Sequence, residues 1–300
     1  MLLTMLLFIN EHWLHIAQIP TLSEVLLRSG VMKRPNVTVQ QDEIAVHFID
    51  VGQGDCTLIV TPDKTVLIDC GEKSESGSVI RYLRSFGVSR LDHVIGTHPH
   101  SDHIGGMAQI LSAFDVGEFI MPDHPDSLTP TTDYYIDMLK VIGDKDIDAV
   151  YSEPGMNITL CEGTVLEIIG PVGSDYDDLN DFSVITRLDS GNYSFLFTGD
   201  MEKPAELDLV NTFAQLRADV LKVGHHGSSS SSSTEFLKRV QPTYAVISVG
   251  DDNSYGHPTP EALKRLQKTG AEILRTSELG SVVFVTDGNT LNYVTAEDAA

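Results

Sequence analysis

The sequence has few positive charges and few cysteines. Its 300 residues carry 20 Lys and Arg against 43 Asp and Glu, a formal net charge of −23. Because such a surface repels phosphate backbones at long range, we expect no extended surface for duplex DNA. The three cysteines, Cys56, Cys70 and Cys161, show no CxxC spacing. This spacing argues against a disulfide scaffold and favours free thiols in a reducing compartment, with a Cys56–Cys70 pair as the open alternative.

The sequence also lacks long apolar runs. The apolar stretch at residues 1–9 is shorter than the ~20 residues that span a bilayer, and no basic segment precedes it as in a signal peptide. We therefore expect no transmembrane span and a cytoplasmic location, with export or membrane association through this stretch as the alternative. Residues 1–42 are predicted to be an N-terminal extension, a short helix or poorly ordered, ahead of one domain at 43–295. The pattern gives no oligomeric state.

Three common catalytic motifs are missing as well. The sequence contains no GxSxG nucleophile elbow, no P-loop and no dinucleotide-binding fingerprint. These absences argue against a serine hydrolase of the α/β type, a P-loop nucleotidase and a Rossmann dehydrogenase.

From Glu43 onwards, short β-rich runs bounded by turn residues alternate with helical stretches. In the first half, strands are predicted at 44–51, 56–60, 65–70, 93–97, 118–122 and 147–151, and helices near 76–86, 107–111 and 134–142. The first three strands are expected to form a meander at a sheet edge. In the second half, strands are predicted at 158–160, 165–170, 183–189, 193–200, 219–223 and 243–250, and helices near 204–210 and 235–240.

The two halves share one pattern, since each opens with antiparallel hairpins and continues with βαβ-like units. This repetition predicts an α/β (α+β) fold: a four-layer αββα sandwich in which two mixed sheets stack face to face with helices outside. Loops at the strand ends should then meet along one edge of the sandwich, where we expect the chemistry.

The sharpest motif is THPHSDHIGG at residues 97–106. His98, His100, Asp102 and His103 fall within six positions at the end of an apolar strand. The strand end directs His98 and His100 to the same side, and the turn into the next helix directs Asp102 and His103 to a neighbouring point. Imidazole and carboxylate ligands without cysteine favour Zn²⁺, Mn²⁺ or Fe²⁺. The motif therefore predicts a site for two divalent ions, Zn²⁺ or Mn²⁺ first.

This HxHxDH motif resembles the signature of the metallo-β-lactamase superfamily, whose fold is the αββα sandwich. More specifically, the chain resembles the hydrolase domain of the competence protein ComEC and its stand-alone relatives, over residues 44 to about 290. The matching segments are FIDVGQGD at 48–55, VLIDCG at 66–71, THPHSDHIGG at 97–106, FLFTGD at 195–200, DVLKVGHHGS at 219–228 and SYGHP at 254–258. The resemblance implies that Asp200 bridges both metals.

Other residues are candidates for the same site. Asp69 follows a strand and is expected to orient a histidine. His225 and His226 follow a strand end, which suits one metal ligand and one substrate-facing neighbour, without indicating which is which. His257 is a weaker candidate to line the pocket. The serine run that begins at Ser228 could contact phosphate oxygens or form a flexible polar loop.

One position departs from the family pattern. Many members carry a further histidine ligand before the hairpin that ends in the bridging Asp, and here that segment, residues 179–183, reads LNDFS. Asn180 or Asp181 is expected to contact metal or orient water in its place. An amide oxygen is a poorer ligand than imidazole, so one metal should bind more weakly.

A metal pair of this kind predicts hydrolysis, because it activates water and stabilises negative charge on the substrate. Asp102, His225 and His226 are the catalytic candidates: Asp102 would orient the nucleophile, and one histidine would stabilise or protonate the leaving oxygen. The ComEC resemblance favours a phosphodiester substrate, either a small molecule or single-stranded nucleic acid. The alternatives are a lactone, thioester or β-lactam hydrolase, and a weakly catalytic metal-binding accessory of DNA uptake.

Overall fold

The structure is a computed structural model that describes residues 39–296 except 41, 214 and 252. The strands are β1 (Ile44–Phe48), β2 (Thr57–Val60), β3 (Thr65–Ile68), β4 (Arg90–Ile95), β5 (Asp115–Met121), β6 (Asp148–Tyr151), β7 (Asn157–Cys161), β8 (Thr164–Gly170), β9 (Ile185–Ser190), β10 (Tyr193–Phe197), β11 (Val220–Lys222), β12 (Tyr244–Ile247), β13 (Glu272–Arg275), β14 (Val282–Thr286) and β15 (Leu291–Thr295). The helices are α1 (Ser76–Ser85), α2 (Ser101–Ile104), α3 (Met107–Ala113), α4 (Asp133–Asp144), α5 (Lys203–Thr212), α6 (Thr234–Val240), α7 (Pro260–Gln267) and α8 (Thr276–Leu279).

These strands form two mixed sheets. The first has the order β15-β14-β1-β2-β3-β4-β5-β6, and the second has the order β13-β12-β11-β10-β9-β8-β7. In each sheet, antiparallel hairpins lead into parallel strands, such as β3 to β6 in the first and β10 to β13 in the second. The repeated half-pattern predicted from the sequence is thus confirmed.

The meander β1-β2-β3 does not lie at an edge, which corrects the prediction. The C-terminal strand β14 pairs with β1, from Ile44 opposite Thr286 to Phe48 opposite Val282. With β15 outside β14, the meander lies in the interior of an eight-stranded sheet. The pairing of β1 with β14 leaves no local signal in the sequence, because the two strands lie far apart in the chain. Packing of the core brings them together, and no turn connects them.

The central core lies between the sheets. Alternate residues of β1, namely Ile44, Val46 and Phe48, face the second sheet, as the two-residue period of a strand requires. The ring of Phe48 lies 6.0 Å from that of Phe197 in β10. Each outer face carries helices: α1, α3 and α4 pack on the first sheet, and α5, α6 and α7 on the second. The four-layer αββα sandwich is therefore confirmed.

Other predictions concern membrane spans, the cysteines and the N-terminal segment. Within the described ranges, no helix has the length and apolar character needed to cross a membrane. Cys56, Cys70 and Cys161 are free thiols, so the alternative Cys56–Cys70 pair is not formed. The predicted extension at 1–42 falls outside the described residues, except for residues 39, 40 and 42.

Candidate metal centre

The HxHxDH motif lies where β4 leaves the first sheet. His98 is buried, and its Nε2 lies 3.1 Å from Nδ1 of His100. His100 precedes the short helix α2, which turns Asp102 and the fully buried His103 towards a second point. The motif thus presents one pair of imidazoles and, beside it, a carboxylate with a third imidazole, as predicted from the strand end.

Asp200 joins the two halves of the domain. It follows β10 in the second sheet and is only 2% exposed. Its Oδ1 lies 3.2 Å from His103 Nε2, and its Oδ2 lies 3.4 Å from His226 Nε2 and 4.0 Å from His98 Nε2. Asp200 therefore lies between both parts of the motif and the histidine of the second half.

His225 and His226 differ in position, which the sequence left open. Both have left-handed backbone angles, φ 49° and 51°, a costly conformation that the surrounding structure must enforce. The buried His226 uses Nδ1 to donate to the carbonyl of Ser248 at 2.8 Å, so its Nε2 faces the carboxylates of Asp102 and Asp200. His225 is half-buried and borders the cavity. The structure thus separates an interior histidine from one at the rim.

The buried donor atoms suit a divalent cation. Asp102, His103, Asp200 and His226 each offer one atom, and these four atoms lie within 4.8 Å of one another. Imidazole and carboxylate ligands ~2.0–2.1 Å from a tetrahedral metal would lie about 3.3 Å apart. The closest observed separations are 3.2, 3.3 and 3.4 Å. Among the described residues, His103 Nε2, His226 Nε2 and Asp200 Oδ1 have no hydrogen-bond partner. The set fits a metal better than a hydrogen-bond network.

The electrostatics support the same interpretation. Burial disfavours the protonated form of His103, yet the carboxylates of Asp200 and Asp69 raise its pKa well above the ordinary value. Burial likewise opposes ionisation of Asp200, yet His103 and His226 hold the pKa of its carboxyl well below the ordinary value. A site in which buried carboxylates draw protons onto neighbouring imidazoles is one that attracts positive charge, the condition for binding a cation.

Asn180 and Asp181 lie in different environments. Asn180 lines the cavity, and its buried Oδ1 has no hydrogen-bond partner in the described part of the chain. Asp181 instead accepts hydrogen bonds from the backbone N–H groups of Glu202 and Ala205, at 3.0 and 3.3 Å. The Asp181 carboxylate therefore caps the N-terminus of α5. Of the two alternatives for the missing histidine, the structure brings only Asn180 to the site.

Replacing Asp181 by Ala should lower stability without changing metal content. Loss of a helix N-terminal acceptor costs about 0.5–2 kcal/mol. We expect the low end of this range, because burial raises the pKa of this carboxyl to about 6. The cost of burying the charge offsets part of the stability that the hydrogen bonds to the N-terminus of α5 contribute. Urea unfolding and metal analysis would measure both quantities, with the exposed Asp177→Ala as control. Loss of bound metal in Asp181→Ala would contradict this assignment.

Asp69 lies behind His103. One carboxylate oxygen accepts from the Thr97 backbone N–H at 2.8 Å, and the other accepts from Thr97 Oγ1 at 2.7 Å and lies 2.8 Å from His103 Nδ1. The carboxylate thus fixes the ring of His103 with Nε2 towards Asp200, which matches the position expected for a residue that orients a histidine.

We expect Asp69→Asn to weaken metal binding about 10- to 100-fold, because an amide holds the His103 ring less firmly and removes the charge behind it. Metal affinity is measured by titration against a chelator, with Asp63→Asn in the exposed β2–β3 turn as the matched control. Equal affinities in the two variants would rule out the orienting role.

Of the two remaining candidates, His257 lies at the cavity and Ser228 does not. His257 lines the cavity, and its ring lies edge-on to that of His225 at 5.4 Å. Ser228 is buried, bonds Ser230 through its hydroxyl at 2.8 Å and is not among the cavity-lining residues.

The serine run is also not a loose loop. The carboxylate of Glu206 accepts from the backbone N–H groups of Ser232 and Ser233, and Arg265 donates to three carbonyls of the run. These bonds hold the run in place behind the site rather than in the cavity, so the structure does not place it for contact with substrate.

The sequence did not predict Lys222, Asp55 or Glu202 as part of the site. Lys222 is buried at the end of β11 and forms an ion pair with Asp55, and its Nζ also donates to the carbonyl of Gly199 at 3.2 Å. Glu202 Oε1 lies 3.0 Å from His225 Nδ1 and 2.8 Å from Ser230 Oγ. A lysine inside the apolar run DVLKV is a signal that could have been used. Glu202 leaves no such signal.

A cavity of about 300 Å³ opens over the centre. Asn180, Asp200, His225 and His226 contribute to its wall, and two tyrosines, Tyr134 and Tyr255, lie in the same lining. The wall thus combines candidate metal ligands with polar and aromatic groups. This combination is expected of a site that binds a small molecule or the end of a nucleic-acid strand.

Two curated proteins are similar to this chain in sequence. The chain is 32% identical over 265 residues to "ComE operon protein 3" of Bacillus subtilis, covering 80% of this chain and 32% of that protein. It is 30% identical over 262 residues to "Competence protein ComA" of Neisseria gonorrhoeae, covering 87% and 35%. The chain therefore spans about a third of the length of the curated relatives it matches.

Structural and family comparisons concern the fold itself. The crystal structure of CmlA, a diiron β-hydroxylase from Streptomyces venezuelae, superposes with a TM-score of 0.54 at 15% identity, covering 86% of this chain and 59% of that chain. This likeness shows the fold alone. Residues 49–251 match the family model of the metallo-β-lactamase superfamily, and the match includes the HxHxDH motif, Asp200 and both strand-end histidines. The chain belongs to the metallo-β-lactamase superfamily.

Proposed function

We propose that this domain hydrolyses phosphodiester bonds with two bound divalent cations. The observation that carries the proposal is the convergence of strand-end ligands from both sheets on the buried Asp200, with donor atoms that lack hydrogen-bond partners among the described residues. The similarity to "Competence protein ComA" supports a phosphodiester over other substrates of this superfamily, because competence is the uptake of DNA.

We assign the ligands in two groups that share Asp200. One cation would be held by Asp102, His103, Asp200 and His226, and the other by His98, His100, Asp200 and the amide oxygen of Asn180. Nitrogen and oxygen donors without sulfur suit Zn²⁺ or Mn²⁺. When bound, such cations make water a nucleophile near neutral pH and stabilise negative charge on phosphoryl oxygens.

The protein's own groups would position the reactants. Asp102 borders the cavity, and its Oδ2 lies 3.3 Å from His226 Nε2. Burial opposes its ionisation, but His226 and His103 lower the pKa of its carboxyl below the ordinary value. An ionised Asp102 accepts a hydrogen bond from the attacking water. This hydrogen bond orients a lone pair of the water oxygen towards phosphorus.

His225 is assigned to the leaving oxygen. Its Nδ1 lies 3.0 Å from Glu202 Oε1, which directs the opposite nitrogen, Nε2, towards the cavity. A proton held at Nε2 can pass to the departing alkoxide, and the Glu202 carboxylate stabilises the imidazolium that donates it. His226, with Nδ1 occupied by Ser248, serves as the metal ligand instead.

The strands support the proposed domain bounds, because β1 begins at Ile44 and β15 ends at Thr295. We propose a hydrolase domain at 43–295, with 1–42 as an N-terminal extension. The free cysteines support a reducing compartment such as the cytoplasm.

The experiment that tests the proposal combines metal analysis with a substrate panel. We expect two metals per chain, and chelator-sensitive cleavage of bis-p-nitrophenyl phosphate and labelled single-stranded DNA, with little turnover of a lactone or a chromogenic cephalosporin. Preferred turnover of the lactone or cephalosporin would contradict the substrate assignment. Full metal content with no turnover of any substrate would favour a metal-binding accessory. Less than one metal per chain would overturn the dinuclear model.

A further inference from the structure

An aromatic ring lies at the mouth of the cavity. The side chain of Tyr255 is part of the lining, yet the residue is 67% exposed. One face of its ring stacks on His257, with ring centres 5.8 Å apart and planes 23° from parallel. His257 in turn lies edge-on to His225 at 5.4 Å, and His225 Nε2 is 3.8 Å from Asp200 Oδ2. A row of rings thus leads from solvent to the candidate metal centre.

The segment that carries this ring is anchored. The side-chain amide of Asn253 donates to the carbonyls of Gly250 and His257, at 2.8 and 2.7 Å, and its oxygen accepts from the His257 backbone N–H at 2.9 Å. Farther along, the backbone N–H of Thr259 donates to the carbonyl of Gly227 at 2.9 Å. Gly227 leaves no room for a Cβ, which would lie 2.6 Å from Pro258. These contacts hold the backbone on both sides of Tyr255, which lowers the entropic cost of ordering this segment when a ligand binds against it.

The described residues of the cavity wall include no lysine or arginine to bind the phosphates of a nucleic-acid chain. The chain as a whole carries a formal charge of −23. Binding energy beyond the metal centre must therefore come from contacts that do not depend on phosphate charge. Stacking on an aromatic face is such a contact, because every base has a π-face.

We propose that Tyr255, backed by His257, is a stacking platform for a nucleobase next to the scissile phosphodiester. The inference rests on the proposed function and adds a substrate class: a phosphodiester that bears a planar base on the side facing Tyr255. A single-stranded nucleic acid and a small dinucleotide share this chemistry. Tyr255 is a specificity-determining residue in this assignment, and the metal centre does not depend on it.

The test compares base-bearing and abasic substrates. Wild-type protein, Tyr255→Leu and Tyr255→Phe are assayed for kcat and KM on a single-stranded oligonucleotide, on an abasic oligonucleotide of equal length and on a dinucleotide. Equilibrium binding of the same labelled strands is measured by fluorescence anisotropy. Tyr151→Leu is the matched control, because Tyr151 is 58% exposed on β6 and is not part of the cavity lining.

We expect wild-type protein to prefer the base-bearing strand by about fivefold to 100-fold in kcat/KM, mainly through KM. Tyr255→Leu should remove this preference with unchanged metal content, whereas Tyr255→Phe and Tyr151→Leu should retain it. A dinucleotide cleaved as efficiently as the longer strand identifies the small nucleotide as the substrate. A marked advantage of the longer strand identifies the nucleic acid.

The outcomes separate the platform from the proposed reaction. Equal cleavage of base-bearing and abasic strands by wild-type protein would overturn the platform and leave phosphodiester hydrolysis intact. Base-dependent binding that Tyr255→Leu removes, with no cleavage of any strand, would support the platform and overturn hydrolysis. If no strand is cleaved and binding does not depend on the base, both the platform and the proposed hydrolysis are overturned. An equal loss in Tyr255→Phe would also overturn the platform, because that variant retains the ring.

Discussion

Asp200→Asn is expected to yield a folded protein that has lost most of its bound metal and at least about 1000-fold of its hydrolytic activity. The substitution preserves shape but removes the negative charge that lies between His103, His226 and His98. A metal centre supplies several kcal/mol of transition-state stabilisation, and ~4 kcal/mol corresponds to 1000-fold in rate. Bound metal is measured by mass spectrometry of the digested protein. Activity is measured as the rate of hydrolysis of bis-p-nitrophenyl phosphate.

The matched control for this substitution is Asp144→Asn, at an exposed position at the end of α4. It should retain both metal and activity. If Asp200→Asn kept two metals per chain, Asp200 would not be a shared ligand. If it lost metal but kept its activity, the reaction itself would not depend on the metals.

Lys222→Met is expected to cost about 3–5 kcal/mol of unfolding free energy. Lys222 and Asp55 are an ion pair in which both partners are almost fully buried. Removing the ammonium leaves the Asp55 carboxylate buried without its cation, and breaking a buried pair from one side costs about this much. Burial raises the pKa of the Asp55 carboxyl, but Lys222 and His226 hold this pKa below its ordinary value, so the ionised carboxylate of the wild-type protein depends on the lysine that the substitution removes. Urea unfolding with chelator present measures the change.

The double variant Lys222→Met with Asp55→Asn separates charge from packing. It removes both charges and should recover a large part of the lost stability, whereas Lys140→Met on the exposed face of α4 should change little. A loss below about 1 kcal/mol in Lys222→Met, or no recovery in the double variant, would show that the pair contributes little to folding.

The part of the site that could be predicted lies at strand ends. Period-two apolar runs mark the strands, so the residues that follow them, His98 to His103, Asp200 and the His225–His226 pair, could be expected at one edge of the sandwich. The structure brings these segments together around Asp200. Asp69 was expected behind a histidine for the same reason, and it lies against His103.

Other features depend on contacts between distant segments. The pattern of residues 179–183 could not distinguish Asn180 from Asp181, because the difference arises when α5 places its free backbone N–H groups beside Asp181. The serine run has the composition of a flexible loop, yet Glu206 and Arg265 from two helices hold it in place. Glu202 acquires its contact with His225 in the same way.

By itself, the sequence determined the two repeated halves, the four layers and the group of residues that meets at the sandwich edge, because strand periodicity and strand-end position are local properties of the chain. Only the tertiary structure decided that β14 closes onto β1, that His226 lies inside the cluster with His225 at its rim, and that Lys222 neutralises Asp55. These features depend on which distant groups are buried together, because burial, rather than order along the chain, determines which polar atom must find a partner.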